Sequence, residues 1–174
     1  NGKPEIIEKY EKKRDSLNYT SEEIFIRNKP WMKTFGRGNF KERIVQDNPV
    51  YASMVESMDD NIGRVLDKIK ELGIEKNTII FFMSDNGGLA TSEGSNTTNL
   101  PLRAGKGWLY EGGIREPMII KWPDNKLNGQ INDIPVTSTD FYPTILEMAG
   151  LQLKPGQHID GKSLVPLLKK NNDT

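Results

Sequence analysis

The sequence predicts an α/β protein, on three observations: an apolar stripe at helical spacing over residues 49–72, an unbroken apolar run at 78–84, and a second short apolar run at 118–122. A core-facing helix followed by apolar strands is the pattern of helices layered on a sheet. At 174 residues the chain has the size of one compact domain. Its hydrophobic content of 35% and mean hydropathy of −0.61 allow a modest core.

Taken in order, residues 1–48 are charged throughout, with apolar clusters only at Ile6-Ile7, Ile24-Phe25-Ile26 and Trp31-Met32. Pro4 suits a helix start, so a short exposed helix is expected from Pro4 to Arg14, while Pro30, Gly36 and Gly38 interrupt anything longer. Asn48 is a suitable N-cap, Pro49 fits the first helical position, and Gly73 is placed to stop the helix. Between them Tyr51, Met54, Val55, Met58, Ile62, Val65, Leu66, Ile69 and Leu72 recur at steps of three and four, which predicts a core-facing stripe. Thr78 through Ser84, rich in β-branched and aromatic residues, reads as a strand covered on both faces. Met118 through Trp122 is a second strand that stops at Pro123, which cannot donate to a ladder. Asp140 is placed to cap a helix running through Glu147, with Pro143 in its first turn and Gly150 closing it. Leu164 to Leu168 forms a last short helix or turn.

Lys+Arg and Asp+Glu both number 24, so no net charge draws the chain to a polyanion, and no nucleic-acid partner is expected. No apolar run approaches the roughly 18 residues of a membrane span, so membrane insertion is not expected either. Without cysteine there is no disulfide, no thiolate zinc site and no cysteine nucleophile in these residues. The opening Asn1-Gly2-Lys3-Pro4-Glu5 has neither an initiator Met nor a signal-peptide core and reads as the start of a piece of a longer chain.

Ligands of open α/β sheets gather beyond the carboxyl ends of the parallel strands, where this sequence places Ser84-Asp85-Asn86-Gly87-Gly88. Asp85 beside Asn86 offers two hard oxygen donors, suited to calcium or magnesium rather than zinc, and the glycines permit a sharp turn. An ordinary Asp-Asn-Gly turn accounts for the same residues, and the pentapeptide alone leaves both readings open. In the segment from Pro101 to Pro117, Lys106 stands between Gly105 and Gly107, free to extend its ammonium toward a tetrahedral oxyanion such as phosphate or sulfate. Arg103 and Arg115 are expected to pair with Glu111 and Glu116. Neither nucleotide-binding glycine pattern is present, nor H-E-x-x-H, nor an EF-hand loop. His158, the only histidine, lies in a turn-rich stretch and reads as structural or exposed. Asn18-Tyr19-Thr20 and Asn96-Thr97-Thr98 match the glycosylation acceptor pattern, which says nothing about export.

Taken together, five motifs resemble the C-terminal part of the sulfatase catalytic domain, of the arylsulfatase branch of the alkaline-phosphatase-like superfamily. They are Met58-Asp59-Asp60-Asn61-Ile62-Gly63-Arg64, the strand into Ser84–Gly88, the segment 102–117, Thr139-Asp140-Phe141-Tyr142-Pro143-Thr144, and Asp160-Gly161-Lys162-Ser163-Leu164. The resemblance implies a mixed, mainly parallel sheet between helices, held here as a partial domain, with 1–48 a variable helix and loop segment and 49–168 the core segment. It implies that Asp85 and Asn86 are calcium ligands, that Lys106 contacts the sulfate group of an aryl or carbohydrate sulfate ester, and that Arg103 and Glu111 support them. Members of that family are commonly exported to a periplasmic or extracellular address, and no segment of this sequence marks one.

In such enzymes a Cys or Ser within C/S-x-P-x-R becomes formylglycine, the nucleophile, and this chain has no such motif. The isolated 174 residues are therefore expected to be inactive, and a strand with open edges to drive self-association. Two rivals remain: a phosphomonoester or phosphodiester hydrolase of the same superfamily, and a non-catalytic module that binds sulfated glycans. Against the first, two-zinc members carry Asp-His where this sequence has Asp85-Asn86.

Overall fold

The computed structural model describes residues 2–27, 29, 41–91, 94–123, 129–157 and 159–169. His158, Trp31-Met32, Pro30, Gly36 and Gly38 lie outside the described residues. The chain divides into two compact units, residues 1–72 with 81–119 and residues 73–80 with 120–174.

In the first unit, helix α1 (Pro4–Leu17) starts on its proline and runs a turn beyond Arg14, to Asn18 in the left-handed region. A single turn, α2 (Ser21–Ile24), is held by a capping box in which Glu23 reaches back to the Thr20 amide at 2.8 Å. It leads into strand β1 (Phe25–Arg27), which pairs antiparallel with β2 (Lys41–Arg43), Ile26 opposite Glu42. Helix α3 (Pro49–Glu71) begins as its sequence predicts: the Asn48 side chain accepts the Tyr51 amide at 3.1 Å, and Pro49 takes the first position.

What α3 buries differs from the expected stripe. It meets α1 through its small and polar face: Ser53 is fully buried, a side chain at Gly2 would collide with it, and Glu56 binds Lys9 at 2.6 Å and Tyr10. At 100° per residue, Ser53 and Glu56 stand opposite Met58 and Val65, and that apolar side is exposed, Val65 to 60%. The periodicity identified the helix correctly. It could not identify the partner: Tyr51, Ile62 and Ile69 are half-buried, and the other six residues of the stripe are exposed.

Strand β3 (Ile80–Met83) is shorter than the run 78–84, and it pairs with β4 (Met118–Lys121) in a two-stranded sheet. It is not covered on both faces as its composition suggested: Phe82 and Met83 are each 40% exposed. Apolar composition reports a tendency to be buried; burial itself needs a second layer, and in this sheet Ile80, Phe81, Met118 and Ile120 are only half-buried.

In the second unit, Gly73, with φ of +68°, follows the end of α3 and a single 3-10 turn (Glu75–Asn77) precedes β3. Helix α5 (Phe141–Met148) contains buried Pro143 in its first turn and ends before Gly150, whose φ is +69°. Asp140 precedes it but does not cap it: one oxygen accepts the Thr137 amide at 2.9 Å and the other the Lys162 amide at 2.8 Å, so it joins two loops instead. The short helix α6 (Val165–Leu168) docks on α5, with Thr144 Oγ1 accepting the Leu164 amide at 2.9 Å. Between these units' helices in sequence, α4 (Glu111–Ile114) is one turn of the first unit, treated below.

Candidate functional site

Where β3 ends, the chain turns through Ser84–Gly88, and the turn is fastened to the segment that carries Lys106. The Gly87 amide donates to the Gly113 carbonyl at 3.1 Å, and the Gly88 carbonyl accepts the Lys106 amide at 3.1 Å. Asn99 clamps the same place: its Oδ1 accepts the Gly88 amide at 3.1 Å, and its Nδ2 donates to the carbonyls of Gly88 at 2.9 Å and Ala104 at 2.8 Å. The two segments, about twenty residues apart in sequence, thus meet through their backbones.

Only glycine permits this approach. A side chain at Gly87 would run into the Gly112 carbonyl, and one at Gly105 into the Gly88 carbonyl. At Gly112 it would meet the carbonyls of Arg103 and Ala104, and at Gly113 that of Trp108. The glycines noted in the sequence for turns and reach therefore serve backbone-to-backbone packing between two loops.

At this junction Asp85 is exposed, Asn86 half-buried and Lys106 exposed. No hydrogen bond or ion pair to another described residue engages the Lys106 ammonium or the side chains of Asp85 and Asn86. Burial, and after it the charge of Asp85, raises the pKa of half-buried Glu116 above its ordinary value. Among the described residues no three His, Cys, Asp or Glu side chains gather as a metal group. Asp85 and Asn86 match calcium in donor type, as hard oxygens on a glycine-permitted turn, and supply two of the roughly six to eight oxygens it takes.

The other polar groups of the segment divide between structure and surface. Arg115 pairs with Glu111 at 3.4 Å across the single turn of α4, as expected for an exposed pair. Arg103 lies instead over the Tyr110 ring, 4.8 Å from its centroid, and Tyr110 stacks with Trp108 at 6.1 Å. Trp108 Nε1 donates to Thr91 Oγ1 at 2.9 Å, which fixes the indole beside the Lys106 loop.

Strand β2 supports both loops, a role that sequence reading missed. The Arg43 amide donates to the Ala90 carbonyl at 2.9 Å. The Arg43 guanidinium, its pKa lowered by burial, binds the Ser95 carbonyl and Asp47 and lies 4.6 Å from the Phe25 ring centroid. Glu42, 1% exposed, accepts the Ala104 amide at 3.2 Å on one oxygen and Lys29 Nζ at 2.7 Å on the other. In a segment with charge spread throughout, no spacing marks Glu42 or Arg43; only their burial does. Asn99 was equally silent, though its place before Leu100-Pro101 in a turn-rich stretch was a usable signal.

A family model described as Sulfatase matches residues 2–151. The chain is 38% identical over 121 residues to N-acetylgalactosamine-6-sulfatase of Mus musculus, covering 69% of this chain and 23% of that one. It is 36% identical over 124 residues to Steryl-sulfatase of Mus musculus, covering 68% and 20%. A protein of Formosa agariphila named Sulfatase is 39% identical over 133 residues, covering 70% and 23%. Among solved structures, Ps i-CgsB in complex with k-i-k-neocarrahexaose superposes with a TM-score of 0.63 at 28% identity, over 95% of this chain and 39% of that chain. The chain spans about a fifth to a quarter of the length of these curated relatives. The α/β, alkaline-phosphatase-like class expected from the motifs holds, as a partial domain. With the Sulfatase model matching residues 2–151 of its 174, the chain belongs to the sulfatase family.

Proposed function

We propose that the full-length protein hydrolyses sulfuric esters, and that this chain, as the C-terminal portion of its catalytic domain with 49–168 as the core segment, supplies part of the calcium site and a sulfate-contacting lysine. The single observation that supports the reading is the backbone junction of Gly87-Gly88 with Lys106 and Gly113, which brings the loop of the acid-amide pair beside the backbone of Lys106. Asp85 and Asn86 would hold calcium through their side-chain oxygens. Calcium, when bound, neutralises charge on the ester oxygens. Lys106 is exposed and its backbone amide is held by the Gly88 carbonyl, and its ammonium is suited to bind a sulfuryl oxygen and to stabilise the negative charge carried there as the S–O bond breaks. The names of relatives support carbohydrate sulfates and steryl sulfates as the substrates to test first.

The isolated 174 residues, lacking C/S-x-P-x-R, are proposed to be inactive and to self-associate. In the full-length enzyme, Asp85→Ala is expected to abolish calcium-dependent turnover and weaken calcium binding measured by calorimetry. Unchanged calcium affinity would remove the metal assignment. Lys106→Ala is expected to lower kcat/KM on N-acetylgalactosamine 6-sulfate or a steryl sulfate about a hundredfold with little change in melting temperature. Full turnover in that variant would refute the role given to the lysine.

A further inference from the structure

Glu42 is the most deeply buried charged residue described, and the reaction as proposed does not use it. It lies on β2, more than sixty residues before the loop it serves. Its Oε1 accepts the amide of Ala104, a residue that is itself fully buried and has a φ of +63°. The left-handed region is unfavourable for a residue that carries a Cβ, so something must hold Ala104 there. Three groups do: the Glu42 carboxylate on its amide, Asn99 Nδ2 on its carbonyl, and the Gly112 amide on the carbonyl of Arg103 just before it. The unusual backbone turn at Ala104 is what sends the chain back through Gly105, so that the Lys106 amide meets the Gly88 carbonyl. Lys29, on the second carboxylate oxygen at 2.7 Å, orients the buried side chain of Glu42.

We infer that Glu42 is a positioning residue for Lys106: a buried carboxylate, ion-paired to Lys29, that holds Ala104 in its left-handed turn and thereby sets where the lysine ammonium stands relative to the Asp85-Asn86 turn. The inference rests on the proposed role of Lys106. It gives Lys29 and Glu42, which composition marks only as charged, a function in the site. Glu42 donates no proton and touches no reacting atom; it acts through the backbone of Ala104.

The test uses the full-length enzyme with three substitutions. Glu42→Gln keeps an acceptor for the Ala104 amide, and Glu42→Leu keeps the volume but removes the acceptor. Lys29→Met leaves Glu42 in place without its partner. Hydrogen exchange of residues 103–107 is measured beside kcat and KM for an aryl sulfate. Glu42→Leu is expected to accelerate exchange at Ala104 and Lys106 at least tenfold and to lower kcat/KM ten- to a hundredfold, the scale of a displacement of about 1 Å. Glu42→Gln is expected to stay within about threefold of wild type in kcat/KM, and Lys29→Met to fall between the two. Because Glu42 acts through Lys106, adding Glu42→Leu to Lys106→Ala should cost no further activity, whereas a merely structural role would make the losses add.

Slow exchange at 103–107 in Glu42→Leu, or additive losses in the double variant, overturns the inference. Should the leucine variant not fold, Glu42→Gln alone discriminates. A neutral acceptor weakens the bond, so Ala104 exchange must accelerate several-fold relative to α3 amides, and unchanged exchange overturns the inference. Full turnover in Lys106→Ala is a separate result: it defeats the reading of the lysine on kinetics, while exchange at Ala104 still reports whether Glu42 holds the loop.

Discussion

At the scale of single residues, the glycines carry the most information, because the same residue type does opposite things at two positions. A methyl group at Gly87 would meet the Gly112 carbonyl, backbone that cannot rotate away, whereas Gly63 within α3 has nothing within 4 Å of where its Cβ would stand. Gly87→Ala is therefore expected to destabilise this chain by about 3 kcal/mol, the upper end of ordinary overpacking, and to separate the two loops. Gly63→Ala is expected to stabilise it by about 0.5–1 kcal/mol through helix propensity and the entropy of the unfolded chain. Urea midpoints at constant m-value measure both, and a Gly87→Ala midpoint equal to wild type would mean the loops are not in contact. Both glycines fall within sequence motifs, and nothing local distinguishes the one that is crowded from the one that is open.

At the scale of elements, the α1–α3 pair depends on a polar latch. Glu56 binds Lys9 and Tyr10; the Lys9 hydrogen bond, then that of Tyr10, lowers the Glu56 pKa below its ordinary value of 4.5 and raises that of Lys9 above 10.5. A carboxyl whose pKa is lower folded than unfolded stabilises the fold fully above the unfolded value and loses that contribution as the pH falls through the folded one. The latch is thus expected to hold from neutral pH down to the ordinary carboxyl range and to open below it. Tyr10 ring resonances followed from pH 7 to pH 2 should shift with a midpoint under 4.5, and Glu56→Gln should remove that step. A midpoint above 4.5 would contradict the latch. The helices themselves were readable from Pro4, Asn48, Pro49 and the apolar spacing, since caps and periodicity are local. Which face of α3 meets α1 was not, because an apolar stripe says that a face seeks cover and not which element provides it.

At the scale of the whole molecule, the described surface carries apolar residues that a compact domain would cover: Met54, Met58, Val65 and Leu66 along α3, and Phe82 and Met83 on β3. The chain also spans only 20–23% of the length of its curated relatives. Contiguous apolar surface and open strand edges favour association in water. The 174-residue chain alone is accordingly expected to self-associate, with an apparent mass by light scattering above 19.7 kDa that rises with concentration. Met58→Glu with Val65→Glu should return it toward one copy, and a wild-type chain that is monomeric throughout would count against an uncovered apolar face.

The sequence by itself determined the α/β class, the start and stop of α3, the extent of α5 and the sulfatase resemblance, because the Asn48 cap, turn residues and contiguous motifs act over a few neighbouring positions. It also singled out Asp85, Asn86 and Lys106, whose types and glycine neighbours are written in consecutive residues. Only the tertiary structure decided that the two loops meet through Gly87, Gly88, Asn99 and Gly113, that Asp140 joins loops rather than capping α5, and that Glu42 grips Ala104. Each of these is a contact between residues distant in the chain. What makes it matter is burial or a carbonyl at close range, and neither is a property that a residue has before the chain is folded.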